Sequence, residues 1–259
     1  MPSPTAKTSP RGWNPVTNVS EQAPGVFFVE GPASNWIIVR DETGFILIDS
    51  GYPADQPLVR QSIEHLGLNP AAARALLITH GHVDHTGSAA HFSTVYGTPV
   101  LCSPNELDHV RGLVKYQVSA KQVVPRAWRL RVFRWMIHAI KAGSLSAKPA
   151  TKAQAWTADT LNSLPGRPQA VPASGHTPGN VAILLPGKGV IATGDTFVTG
   201  HPLSKHTCPQ MLHPMYHHNP AAALAATHQL DSIDASVILP GHGPALSMPL
   251  SDALASLRS

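Results

Sequence analysis

The chain has 259 residues, 42% of them hydrophobic, enough apolar material for a buried core. Two cysteines, Cys102 and Cys208, exclude a disulfide framework and fit free thiols in the cytoplasm. The formal charge is only +4, but the cations are unevenly placed: ten of the 19 Lys and Arg fall between Arg111 and Lys152, where no Asp or Glu occurs.

Residues 1–22 read as a flexible tail, rich in Pro, Ser and Thr and lacking the apolar stretch of a signal peptide or membrane span. Beyond it, short apolar runs predict strands near 26–30, 35–40, 45–49, 75–79 and 99–102, and again near 169–173, 181–185, 189–193 and 236–239. Helical spacing predicts helices over 56–66, 87–96, 104–111, 220–230 and 249–257. The helix at 104 carries a start signal, with Ser103 as N-cap, Pro104 in the first turn and Glu106 completing a capping box. Strands alternating with helices indicate an α/β layered fold. With no Pro/Gly/Ser linker dividing it, the span 23–259 is read as one domain.

An insertion at 112–155 interrupts this pattern. Within it, Val123–Lys141 reads as one helix, with Trp128, Val132, Trp135 and Ala139 on one face and Arg131, Arg134 and Lys141 opposite. Three roles compete for it: a cap packed on the domain, a lid over a cleft, or a contact with a membrane surface or nucleic acid. The lid reading predicts that Trp128 and Trp135 form an apolar wall for a substrate. Neither a lipidation signal nor an RNA-binding motif supports the third role.

Residues 79–87 read Thr-His-Gly-His-Val-Asp-His-Thr-Gly, so His80, His82, Asp84 and His85 fall within six positions. They follow the apolar run 75–79, and a strand end running into a glycine turn would gather them at one point. His80 and His82 then turn toward one metal, Asp84 and His85 toward a neighbour. Imidazoles with a single carboxylate suit zinc and other borderline metals better than calcium or magnesium. Three more candidates follow short β-like runs beside glycine: His176 in Ser-Gly-His-Thr-Pro-Gly-Asn, Asp195 in Thr-Gly-Asp-Thr, and His242 in Pro-Gly-His-Gly-Pro.

The ordered set of these four motifs resembles the metallo-β-lactamase-fold hydrolase superfamily, and within it the broad glyoxalase II/lactonase-like group, from about Gly25 to the C-terminus. The resemblance implies a four-layer αββα sandwich, with the basic helical insertion as a departure from a minimal member. It implies two zinc ions, one on His80, His82 and His176, the other on Asp84, His85 and His242, with Asp195 bridging them. Asp49, in Phe-Ile-Leu-Ile-Asp-Ser-Gly, matches an aspartate that supports the metal loop by partnering a ligating imidazole.

The activity so implied is hydrolysis of an ester, thioester or lactone-type acyl bond by a metal-bridging hydroxide, with Asp84 and Asp195 orienting it and taking its proton. A small-molecule substrate with an apolar acyl group is the expected partner. Two alternatives stay open. A mononuclear iron oxygenase of the persulfide dioxygenase type would use only His80, His176 and Asp195. A β-lactamase or nucleic-acid phosphodiesterase would use the same two-metal site. The stretch 201–218, with five histidines, is placed to wall the substrate, and Tyr216 in it could donate to an oxyanion.

Overall fold

Period-two alternation in the strands explains the layers of this computed structural model, which describes residues 13–258. Strands β1 (Val19–Ala23), β2 (Val26–Glu30), β3 (Asn35–Asp41), β4 (Gly44–Ile48), β5 (Ala75–Ile78), β6 (Val100–Cys102) and β7 (Gln154–Ala155) form one sheet in sequence order. It is antiparallel from β1 to β4 and parallel from β4 to β7. Strands β8 (Gln169–Pro172), β9 (Val181–Leu185), β10 (Val190–Gly194), β11 (Val237–Pro240) and β12 (Leu246–Ser247) form the second, ordered β12-β11-β10-β9-β8.

One face of the first sheet, with Phe28, Ile37, Ile46 and Leu77, packs on Val181, Ile183 and Val190 of the second. The alternate residues Phe27, Trp36, Ile38 and Leu47 pack outward against Leu58 and Ile63 of the helix Gln56–His65. Outside the second sheet, Leu184, Ile191 and Ile238 meet Leu250 and Leu254 of the helix Leu250–Arg258. The sequence's αββα sandwich is therefore present. The nine expected strands all appear, with ends shifted by no more than one residue. The short edge strands β1, β7 and β12 have no apolar run long enough to have announced them.

The tail expected over 1–22 differs. Residues 1–12 lie outside the described residues, whereas 13–22 are part of the fold. Trp13 is buried and its indole N–H donates to the Glu30 carbonyl. Asn14 caps the helical turn Pro15–Asn18, which leads into β1.

Two helix expectations are corrected. The predicted insertion helix over Val123–Lys141 breaks into a turn Ala120–Val123, a 3-10 turn Val124–Arg126 around Pro125, and the helix Leu130–Lys141. Trp128 therefore precedes the helix, 78% exposed, with the Arg129 guanidinium 5.2 Å from its ring centroid. It does not share a face with Val132, Trp135 and Ala139, which turn inward. The capping box at 103–106 is also absent. The Ser103 hydroxyl donates instead to the Gly179 carbonyl, 2.6 Å away, and the Glu106 carboxylate is drawn into the interior.

Candidate metal centre

The site lies just past the C-terminal ends of β4, β5, β10 and β11, where Asp49, His80, Asp195 and His242 follow their strands. His82 precedes the helical turn Val83–Thr86, which carries Asp84 and His85. The loop between β8 and β9 delivers His176. Gly241 makes the closure feasible, because a Cβ there would collide with the Asp195 carboxylate and the His85 ring.

The seven side chains come together as two sets. His80, His82, His176 and Asp195 form one, and Asp84, His85 and His242 the other, with the ligand atoms of each set within 4.8 Å of one another. The Asp195 carboxylate stands between them. Its Oδ2 is 3.4 Å from His176 Nε2 and 3.4 Å from His242 Nε2, and its Oδ1 is 3.5 Å from His85 Nε2.

What each imidazole does with its outer nitrogen fixes what it offers inside. His242 Nδ1 donates to the Ala33 carbonyl at 2.7 Å, and His82 Nε2 points at the Tyr116 carbonyl at 3.5 Å. His85 Nδ1 is 2.9 Å from Asp49 Oδ2. Thr79 gives its hydroxyl proton to Asp49, so its oxygen accepts from His80 Nδ1 at 3.1 Å. His217 donates from Nε2 to the Leu212 carbonyl, so its Nδ1 accepts from His176 Nδ1 at 3.2 Å. Engaged by the protein through its outer nitrogen, each ring has its inner nitrogen turned toward the centre.

His176 Nε2 and His82 Nδ1 face each other at 2.9 Å, and His80 Nε2, His85 Nε2 and Asp195 Oδ1 are buried without a protein partner. Imidazole nitrogens and carboxylates converging on one buried point form a cage for cations. This donor set fits two metal ions.

Electrostatics agrees for the first set. Burial, reinforced by neighbouring imidazoles, keeps His80 and His82 well below the ordinary histidine range. Burial lowers His176 to about 3, the neutral form a ligand needs. Burial would raise Asp195, but His242 and His85 outweigh it and keep the carboxylate ionised. Around His85, burial is overcome by Asp195, Asp49 and Asp84, which lift its pKa to about 10. That excess of negative charge is what a cation would neutralise.

Asp49 holds its position at some cost. Its φ of 60° is in the left-handed region, rare for a residue with a Cβ. In exchange, its carboxylate takes the Thr79 N–H at 2.9 Å as well as the Thr79 hydroxyl and His85.

Glu106 was not legible as a site residue, since its spacing from Ser103 suggested a cap. It is fully buried, and its carboxylate accepts from the Gly81 N–H at 2.8 Å, the Gly179 N–H at 2.8 Å and the Thr177 hydroxyl at 2.8 Å, with His109 Nδ1 at 2.6 Å. It thereby ties the loop carrying His80 and His82 to the loop carrying His176. His217 was likewise hidden among the five histidines of 201–218. Only its position after a tight turn could have marked it.

A small cavity of about 30 Å³ opens directly on the centre, lined by His82, Asp84, His176, Asp195 and His242 and, beyond them, by Trp135, His201, Leu212 and Tyr216 among others. Of the three substrate residues expected, Trp135 and Tyr216 reach it and Trp128 does not. Trp135 and Tyr216 pack edge to face with centroids 5.6 Å apart. The Tyr216 hydroxyl is buried without a hydrogen-bond partner, and burial and Asp84 push its pKa up.

This sandwich with a two-set His/Asp centre at its strand ends matches the profile of the metallo-beta-lactamase superfamily over residues 29–242, and the chain belongs to that superfamily. Among curated proteins it is 25% identical over 208 residues to metallo-beta-lactamase domain-containing protein 1 of Xenopus laevis, an alignment covering 77% of this chain but 66% of that protein. It is 29% identical over 164 residues to the hydroxyacylglutathione hydrolase GloC of Haemophilus influenzae, covering 63% of this chain and 66% of the relative. Among solved structures, TTHA1623 in a di-iron-bound form superposes with a TM-score of 0.57 at 24% identity, over 88% of this chain and 94% of that one. Among the described residues, no helix is long and apolar enough to cross a membrane.

Proposed function

We propose that the protein is a dinuclear metal-dependent hydrolase of an ester, thioester or lactone-type acyl bond, acting on a small molecule. The observation that carries this reading is the buried cage: two sets of convergent ligand atoms with the Asp195 carboxylate between them, each imidazole engaged by the protein through its outer nitrogen. In it, His80, His82 and His176 would hold one ion and Asp84, His85 and His242 the other, with the Asp195 carboxylate within reach of both sets. Ions held there supply a nucleophilic water at neutral pH and a Lewis acid for the acyl oxygen.

The chain's own groups do the rest. Asp84 and Asp195 are the carboxylates facing the cavity, so they orient the attacking water and take its proton at a carboxylate oxygen. The Tyr216 hydroxyl, high in pKa and unpartnered, donates to the oxygen on which charge develops. Trp135 closes the cavity as an apolar wall and limits water around the reacting bond. Asp49 and Glu106 touch no substrate; they orient the ligating loops.

Zinc is the metal favoured by imidazole with few carboxylates, and the di-iron form of TTHA1623 makes iron the second reading. The mononuclear oxygenase alternative gains nothing from the second ligand set. The name of GloC supports acyl hydrolysis over a β-lactamase or phosphodiesterase activity. Two free thiols, Cys102 and Cys208, fit a cytoplasmic location.

Metal quantification on untagged protein, joined to a panel of thioesters, lactones, phosphodiesters and β-lactams, tests the proposal. Two equivalents of zinc with acyl hydrolysis is the expected result. One iron per chain with oxygen uptake would replace it.

A further inference from the structure

The cavity that opens on the ligand sets is too small for a whole substrate. At about 30 Å³ it has room for little more than one water-sized group, so only the reacting bond can enter it. The remainder of any substrate must lie in an adjoining space, and one is present. A cavity of about 740 Å³ shares the walls His201, Leu212 and Tyr216 with the metal cavity. That volume is in the usual range for small-molecule sites.

Its lining has an unusual charge. Arg126, Arg129, Arg131 and Arg134 of the insertion line one side, Lys205 lines the other, and no Asp or Glu lines it anywhere. The sequence guarantees this over a wide margin, because no acid occurs from 109 to 158 or from 196 to 230. None of the four arginines has an ion-pair partner among the described residues. Arg131 does donate to the Ser204 carbonyl at 2.9 Å, joining the insertion to the 201–216 stretch across the cavity. Leucine and methionine side chains from 203–215 complete the wall. Cations over an apolar floor are complementary to a molecule with a hydrocarbon body and a negative group.

We infer that this cavity is a subsite for the anionic end of the substrate, a carboxylate or phosphate joined through an aliphatic segment to the bond placed at the metals. The inference deepens the hydrolase reading and rests on it for the orientation of the substrate, but binding alone can test it.

Calorimetry on the full-length, metal-loaded protein would compare octyl phosphate, octanoate and the uncharged octyl glucoside at low salt. At least one of the two anions should bind roughly tenfold more tightly than the glucoside, and which one does so separates phosphate from carboxylate as the natural group. The pair Arg129→Gln and Arg134→Gln, both exposed side chains, should abolish that preference while leaving glucoside binding unchanged. The pair Lys115→Gln and Lys148→Gln, in the same insertion but outside the cavity, should retain it. The preference should also survive chelation.

Equal binding of anions and glucoside would overturn the subsite. So would a preference that persists without Arg129 and Arg134, or one that vanishes when the metal is stripped, which would place the anion on the metals. Failure to cleave any acyl substrate would sink the hydrolase reading and leave this binding difference standing.

Discussion

The metal centre and the insertion above it satisfy their polar groups in opposite ways. At the centre each ligating imidazole has its outer nitrogen engaged by the protein, and the supporting carboxylates Asp49 and Glu106 accept three and four donors. In the insertion no cation has a carboxylate partner among the described residues, and seven of the ten large hydrophobic side chains exposed among the described residues lie between Leu113 and Leu145. A network that over-determines each ring fixes geometry, which the chemistry needs. A surface of long, loosely held side chains can adapt, which recognition tolerates. Chemistry and selectivity should therefore be separable by mutation.

The sharpest break of that separation is at Asp195, whose carboxylate stands between the two ligand sets. Asp195→Ala should reduce bound metal from two equivalents toward none and lower kcat by roughly a thousandfold or more, since several kcal/mol of charge stabilisation go with the ions. Metal analysis and turnover on one good substrate would measure both. Two equivalents retained at unchanged affinity would remove the bridge.

Glu106 comes next. It lies outside the ligand sets, so a purely structural role predicts lower stability alone. Glu106→Ala would leave four donors unpaired in the interior and should cost about 3–5 kcal/mol in denaturant unfolding. Glu106→Gln fills the same space but carries one acceptor oxygen in place of two. It should lose less stability yet weaken metal binding by roughly 10–100-fold, because the loops of His80, His82 and His176 lose their common tie. Unchanged metal affinity in Glu106→Gln would confine the residue to scaffolding.

In the cap, the effects should be selective. Trp135→Ala should raise KM about tenfold for substrates with long or aromatic acyl groups, with little change for a small ester. Trp128→Ala should alter neither, and its stability should stay within about 0.5 kcal/mol of the parent, because the ring is in solvent. Equal losses for all substrates in Trp135→Ala would make the helix Leu130–Lys141 scaffold only.

The same contrast explains what could be read from the sequence. Strand–glycine–ligand units are local: an apolar run ends, a glycine turns, and the histidine or aspartate follows, so all seven candidates of the centre were visible and the structure gathers them. Asp49 was visible too, at the end of its apolar run. Glu106 was not, because its partners Gly81, Thr177 and Gly179 are distant in sequence and a cap at Ser103 explained it more simply. Trp128 departs from its expected face for a local reason, the break at Pro125 within an amphipathic pattern. Trp13 anchors a segment whose composition alone reads as a tail. Tertiary partners decide such cases, and no spacing rule encodes them.

The last expected effect lies at the joint between the two regions. Pro53–Asp55 forms a turn whose Ala54 N–H donates to the Ala142 carbonyl just past the helix Leu130–Lys141, and Asp55 Oδ2 accepts the Tyr52 N–H at 2.9 Å. Asp55 is buried, and that burial, with a contribution from Asp84, raises its pKa from 3.8 to about 6. A carboxyl group with a raised folded pKa gives stability that is fully present below 3.8 and is lost as pH climbs to about 6, because the unfolded chain ionises first. Asp55→Asn keeps an acceptor for Tyr52 and removes the titration. The variant should therefore gain about 1–3 kcal/mol over the parent at pH 7, the linkage contribution that the ionised carboxylate has lost there. Below pH 4 the gain should disappear. Denaturant midpoints of both proteins across that interval would measure it, and a gain that is independent of pH, or a loss at pH 7, would show that Asp55 is ionised at no cost in the folded joint.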